Sequence, residues 1–234
     1  MKIFALADLH LSLAKPKPMD VFGPAWTNHH LRIAENWQRL VTPEDLVLVC
    51  GDISWAMHLE EAEKDLNFLT ELPGKKVLIR GNHDYWWKSI SKVRSKLPEG
   101  IAALQNDYIA FGDIAVCGTR GWSIPNGQLS EEDKAIYLRE ILRAELSLNK
   151  AEKDGFQKKI FMLHFPPFLN GLLDPGFKEL FANYGVHWCV YGHMHGNDHR
   201  FAVEGSLDGV QYVFVAADFT GFAPVELLEM NRLP

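Results

Sequence analysis

The sequence predicts an α/β fold: a two-sheet mixed β-sandwich flanked by helices. Three observations lead there. Seven short apolar runs have the length and the β-branched or aromatic content of buried strands, and several close on a glycine or an aspartate. Amphipathic stretches separate the runs of the first half, which implies βαβ units and parallel strands. Residues 101–120 and 199–215 read instead as consecutive strands joined by short turns.

The first run is Lys2–Ala7. Residues 14–27 (AKPKPMDVFGPAWT) follow, and their three prolines and glycine forbid a regular helix or a central strand. This excursion reads equally as a lid or rim, a common use of long loops, and as a plain surface loop. A helix is expected over Asn28–Leu40, carrying Leu31, Ile33, Ala34, Trp37 and Leu40. Leu46–Cys50 is the second strand. Leu59–Leu72 is a helix with Ala62, Leu66 and Leu69 on one face. Lys76–Arg80 and Ile114–Cys117 are further strands. Ser130 and Asp133 form a capping box for a helix over Ser130–Leu148, whose apolar face is Leu138, Ile141, Leu142 and Leu146. The runs Lys159–Leu163, His187–Tyr191 and Gln211–Ala216 complete the set. No linker or repeat divides the chain, so residues 1–234 read as a single domain.

Composition narrows the class. The chain is 47% hydrophobic and 23% charged, which excludes disordered, collagen-like and low-complexity proteins. No apolar run approaches the ~20 residues of a membrane helix, so no membrane partner is expected. Asp8 and His10 interrupt what begins like a signal peptide. The formal charge of −6 exerts no global pull on nucleic acid. Cys50, Cys117 and Cys189 each sit in an apolar run without a CxxC pair. They fit buried small residues in a reducing compartment, and a cytoplasmic location is the expectation.

The chemistry gathers at the strand ends. The first run leads to Asp8-Leu9-His10, the second to Gly51-Asp52 and the third to Gly81-Asn82-His83-Asp84. Later runs lead to His164 and to Gly192-His193-Met194-His195. In α/β architectures this carboxyl edge is where ligands bind. Asp8 with His10, and His193 with His195, are spaced i, i+2, which in extended backbone aims two side chains into one cavity. Glycines 51, 81 and 192 would permit sharp turns beside them. Asp and His donors suit manganese, iron, zinc or nickel, and the lack of cysteine argues against a structural zinc site. Seven donors exceed the needs of one ion and suffice for two that share a carboxylate, the usual apparatus for displacement at phosphorus.

The ordered motifs D-x-H, G-D, G-N-H-D, H and G-H-x-H, from residue 8 to residue 195, resemble those of the calcineurin-like metallophosphoesterases. The resemblance implies a two-sheet, four-layer α/β sandwich. It also implies two divalent metal ions: Asp8, His10 and His195 on the first, Asn82, His164 and His193 on the second, and Asp52 bridging both. A hydroxide between the ions would attack phosphorus. His83 would protonate the leaving group, and Asp84 would orient His83 through its other ring nitrogen. Further residues are candidates for substrate contact: Arg120 as a phosphate clamp and Tyr85 as a stacking contact for a nucleobase or aromatic leaving group. Trp55 and the lysines of 14–27 are weaker candidates.

Taken singly, each residue has a plain structural explanation: Asp8 as a turn residue, Asp52 and Asp84 as helix caps, His164 as a satisfied core histidine. An ion pair would equally explain Arg120, and a solvated helix start His29 and His30. The shared placement after strand-like runs favours the site. The expected function is therefore a dinuclear metal-dependent phosphohydrolase acting on a phosphomonoester or phosphodiester of a small metabolite or nucleotide. Alternatives are a nuclease acting on DNA or RNA and a non-catalytic metal-binding scaffold.

Overall fold

The computed structural model describes residues 1–125 and 129–229. In the first half, β1 (Lys2–Leu6), β2 (Leu46–Val49), β3 (Lys75–Leu78) and β4 (Ile101–Ala103) pair in parallel, each beside the next. The crossovers carry α1 (His29–Leu40) and α2 (Leu59–Glu71), with the short α3 (Ile90–Arg94) before β4. Residues 14–27 form no strand or α-helix, only two 3-10 turns, as the prolines require.

The second sheet begins at β5 (Tyr108–Phe111), an antiparallel edge beside β6 (Ile114–Thr119). The helix α4 (Glu131–Lys153) then crosses to β7 (Lys158–Leu163). A hairpin of β8 (Phe168–Leu169) and β9 (Leu172–Leu173) leads into α5 (Pro175–Tyr184) and then β10 (Trp188–Tyr191). An antiparallel pair, β11 (Gly205–Leu207) and β12 (Val210–Phe214), follows. The order across this sheet is β11-β12-β10-β7-β6-β5, with β6, β7, β10 and β12 parallel. The final strand, β13 (Val225–Glu229), returns to the first sheet as its antiparallel edge beside β1.

Strand alternation builds four layers. Ile3, Ala5, Leu46, Leu48 and Val77 meet Ile114, Val116, Ile160, Met162 and Val190 in a core between the sheets. The intervening residues Phe4, Leu6, Val47, Val49 and Leu78 pack outward with Ile33 and Trp37 of α1 and Leu66 and Leu69 of α2. Phe161, Leu163, Cys189, Tyr191 and Tyr212 pack the other way, with Ala144 and Leu148 of α4 and Phe177 and Phe181 of α5. Each such side chain contributes roughly 1.5–3 kcal/mol on burial. The expected two-sheet sandwich is therefore the observed one, and the three cysteines are free and buried.

Of the expected face of α4, Ile141 alone packs against the core. Leu138, Leu142 and Leu146 are 60%, 60% and 54% exposed, whereas Tyr137, Glu140, Ala144, Ser147, Leu148 and Ala151 are buried. Small and anchoring polar residues set that choice. Ala144 and Ala151 allow close approach to the sheet. Ser147 Oγ accepts from Gly118 N–H at 3.0 Å and donates to the Asp107 carbonyl at 2.5 Å. The Ser130 cap holds, accepting the Asp133 N–H at 3.1 Å.

Candidate metal centre

Five strands deliver the predicted donors to one place. At the end of β1, Asp8 and His10 adopt positive φ values of 60° and 45°; Asp52 after β2 has 51° and His193 after β10 has 78°. The i, i+2 pairs therefore converge through left-handed turns rather than extended alternation. Such strain costs of order 1–3 kcal/mol per residue and concentrates at functional sites. The glycines also act differently from the sequence expectation. Gly51 does turn, at φ +87°. Gly81 and Gly192 serve close approach: a Cβ on Gly81 would lie 2.1 Å from Asp52 Oδ1, and one on Gly192 would lie 2.4 Å from Asp8 Oδ2.

All seven predicted ligands meet. His195 Nε2 is 3.3 Å from His10 Nε2 and 3.7 Å from Asp8 Oδ1. His164 Nε2 is 2.7 Å from Asn82 Oδ1 and 3.3 Å from His193 Nδ1. Between the two groups, Asp52 Oδ2 lies 3.8 Å from His10 Nε2 and 3.5 Å from His164 Nε2. Asp8, His10 and His195 could hold one cation, and Asp8, Asp52 and His164 offer a second overlapping set.

The donor chemistry fits cations. His164 presents Nδ1 to the Cys50 carbonyl at 3.0 Å and His195 presents Nδ1 to Asp218 at 2.9 Å, which leaves both Nε2 atoms facing inward. Burial lowers the His164 pKa to about 3, so its ring is neutral. Burial, then the charges of neighbouring histidines, hold His10 well below the usual range, and His193 is lowered for the same reasons. The neutral ring nitrogens of His164 and His193 thus face one another at 3.3 Å. Asp8 Oδ1 is buried with no hydrogen-bond partner, and burial pushes its carboxyl pKa up. A cation between these atoms resolves both features. Burial would lower His195 as well, but Asp218 and then Asp8 raise it to about 9.

His83 sits at the lip, 35% exposed, with Nε2 4.0 Å from Asp52 Oδ2. Its ring packs on Trp55 at 4.4 Å. The expected link from Asp84 to the His83 ring is absent. Asp84 is fully buried and accepts the N–H groups of Ile53, Ser54 and Gly81 and the indole N–H of Trp86. Three of those donors meet Oδ1 and one meets Oδ2, so it clamps the Gly51–Ser54 turn to the Gly81–Trp86 turn. The Tyr85 hydroxyl faces His83 Nδ1 instead, at 3.3 Å.

Arg120 lies outside the donor cluster. Its guanidinium stands 3.8 Å from Glu140 and 4.4 Å over the Trp122 ring, while its carbonyl accepts the N–H of His164. His29, expected as a solvated helix start, is buried and bonds to the carbonyls of Trp26, Leu9 and His10. It ties the excursion to the Asp8–His10 turn. Trp26 closes over the site, 5.8 Å from His10 and 5.6 Å from His195, and Lys17 lies 3.1 Å over Trp55. Sequence reasoning missed Asp218, which holds His195 and lies 3.2 Å from His199. The signal was present, since Asp218 follows the apolar run Gln211–Ala216 much as Asp8 and Asp52 follow theirs.

A four-layer α/β sandwich with clustered carboxylate, imidazole and amide donors at its strand ends defines a metal-dependent hydrolase class. The chain matches the calcineurin-like phosphoesterase family over residues 1–197, and it belongs to that family, whose enzymes act on phosphoesters. It is 39% identical over 83 residues to the gene 66 protein of Mycobacterium phage D29, and the match covers 35% of this chain and 40% of that protein. Its fold is similar to that of a phosphopantetheinyl hydrolase from Mycobacterium tuberculosis, at 15% identity and TM-score 0.61 over 100% of this chain and 98% of the other. A Thermus thermophilus protein is similar at 13% identity and TM-score 0.57 over 96% and 97%. Among the described residues, no helix is long and apolar enough to cross a membrane.

Proposed function

We propose that the protein is a dinuclear-metal phosphoesterase acting on a small phosphorylated metabolite or nucleotide. The position of Asp52 carries the reading, within 4 Å of both His10 on one side and His164 on the other. Asp8, His10 and His195 would hold one ion, Asn82, His164 and His193 the other, and Asp52 both. Bound there, divalent ions would neutralise phosphate charge and supply an activated water.

The chain's own residues do the rest. The turns at Asp8, His10, Asp52 and His193 hold the donors rigidly, so little reorganisation accompanies reaction. His83 stands at the lip, where its Nε2 can donate a proton to a departing oxygen. Burial holds its pKa below the usual value while Asp52 pulls it up. The Tyr85 hydroxyl fixes the ring through Nδ1, and Trp55 supports its face. Trp26, Trp55 and Lys17 form an aromatic and cationic rim that suits a compact anionic substrate.

Turnover of p-nitrophenyl phosphate and bis-p-nitrophenyl phosphate, with manganese, nickel, iron and zinc supplied in turn, tests this reading alongside metal analysis. Two bound ions and turnover of either ester are expected. Protein that holds two ions and turns over neither would be a scaffold. A screen of phosphorylated metabolites, a phosphopantetheinyl ester among them, then ranks substrates.

A further inference from the structure

A second cationic cavity adjoins the metal centre and contains none of its donors. It is lined by Arg80, Lys88, Gln105, Arg120, Glu140 and Arg143, with a volume near 90 Å³. That is the volume about three waters occupy in the liquid, enough for one tetrahedral oxyanion. Four cationic side chains face one carboxylate. Glu140 is already engaged: it accepts from Thr119, pairs with Arg143 at 2.6 Å and lies 3.8 Å from Arg120.

Arg80 and Lys88 have no acidic or hydrogen-bonding partner among the described residues. The Nε atoms of both Arg80 and Arg120 are buried without an acceptor. Gln105 spends its carbonyl oxygen on the Trp87 indole N–H at 3.1 Å, which leaves its amide NH2 free to donate. A cavity lined by unspent donors and excess positive charge calls for an anion.

The position relative to the metal centre is fixed by the backbone. Arg80 precedes Asn82 by two residues, a span of at most about 7 Å. The Arg120 carbonyl accepts the N–H groups of His164 and Phe165 at 3.1 and 3.0 Å. The cavity therefore stands beside the Asn82 and His164 side of the site.

We propose that Arg80, Lys88, Gln105, Arg120 and Arg143 form a metal-independent phosphate subsite, and that the substrate is a small molecule carrying a second phosphate besides the ester that is cleaved. This rests on the phosphoesterase reading for the cleaved group only, because the subsite itself needs no metal. Arg80 and Lys88 supply the uncommitted charge. Arg120 and Arg143 are held in place by Glu140, and Trp122 supports Arg120 from its ring face.

Two measurements separate this inference from the function on which it builds. Protein stripped of metal with a chelator is titrated with inorganic phosphate and inorganic pyrophosphate by calorimetry. Binding with a dissociation constant on the order of 1 mM is expected, weakened about tenfold by Arg80→Met and by the surface change Lys88→Gln. No binding to the stripped protein, or binding indifferent to both substitutions, overturns the subsite, whatever the enzyme does with p-nitrophenyl phosphate. With metal restored, kcat/KM for adenosine 3′,5′-bisphosphate over adenosine 5′-monophosphate should exceed tenfold, and the same substitutions should bring the ratio toward one. An unchanged ratio likewise overturns the proposal. Absence of turnover with every ester would defeat the phosphoesterase reading, and the calorimetric titration would still decide the subsite.

Discussion

Gly192→Ala tests the geometry of the centre without removing any donor. Gly192 closes β10 and abuts the end of β1, and an added Cβ would lie 2.4 Å from both the Ala7 Cβ and Asp8 Oδ2. Ordinary contacts begin near 3.4 Å, so roughly 1 Å of movement must be found. Ala7 is locked in a bridge with Ala216 and is fully buried, so the turn at Gly192 must shift away from it and the Asp8 carboxylate is displaced as well. Productive sites tolerate displacements of about 0.5 Å, and a 1 Å misplacement costs around 10²-fold in rate. Overpacking of this kind costs about 1–3 kcal/mol in stability, which a folded domain survives. Metal content after gel filtration, turnover and thermal unfolding are measured together. The expected outcome is a folded protein with fewer than two ions and activity down at least a hundredfold. Gly205→Ala, at φ +99° with open space around it, is the control that carries backbone strain alone, and it should keep both ions. If Gly192→Ala retains two tightly held ions and full rate, the account of the Asp8 position is wrong.

Three further outcomes are expected. Asp218→Asn removes the carboxylate that sets the His195 ring, and metal titration should find affinity reduced 10–100-fold, about 1.4–2.7 kcal/mol; wild-type affinity would remove Asp218 from the design. His83→Ala should leave both metals bound and slow esters of poor leaving groups about 10²–10⁴-fold while sparing p-nitrophenyl phosphate; equal loss on both would refute the proton-donor role. Lys76 is buried, its amine donates to the Leu72 carbonyl, and burial lowers its pKa from 10.5 to about 8. The unfolded chain therefore binds the proton more tightly, and stability falls as pH drops from about 10.5 to 8, then stays low. At 1.36 kcal/mol per pH unit the full cost is about 3 kcal/mol. In chemical unfolding Lys76→Met should recover about 2 kcal/mol at pH 7, after about 1 kcal/mol for the freed carbonyl, and should lose about 1 kcal/mol above pH 10.5, where only the carbonyl cost remains.

The candidate donors could be read from the sequence because each is announced locally. Asp8, Asp52, Asn82, His164 and His193 all follow a strand-like run, and the sheet order alone brings those ends together. What the sequence hides depends on partners distant in the chain. Asp218 lies 23 residues beyond His195, and only the pairing of β10 with β12 makes them neighbours. Asp84 follows a catalytic-looking histidine, which suggests a dyad, yet the buried turns around it offer four N–H donors that win its oxygens first.

The misread face of α4 has the same origin and bears on function. Hydrophobic periodicity assigns the core to Leu138, Ile141, Leu142 and Leu146, but of these the helix packs only Ile141 inward, and it turns in Glu140, where burial of a carboxylate is costly unless it is paired. Thr119, Arg120 and Arg143 supply the pairing, and all three line the second cavity. The rotation of α4 is therefore coupled to the presence of a cationic wall beside the metal centre. A helix seated on its leucines would bury more apolar surface but would leave Arg120 and Arg143 without the carboxylate that fixes them. The sequence thus accepts exposed leucines on one face in exchange for positioned charge on the other, a choice that core stability alone does not explain and anion recognition does.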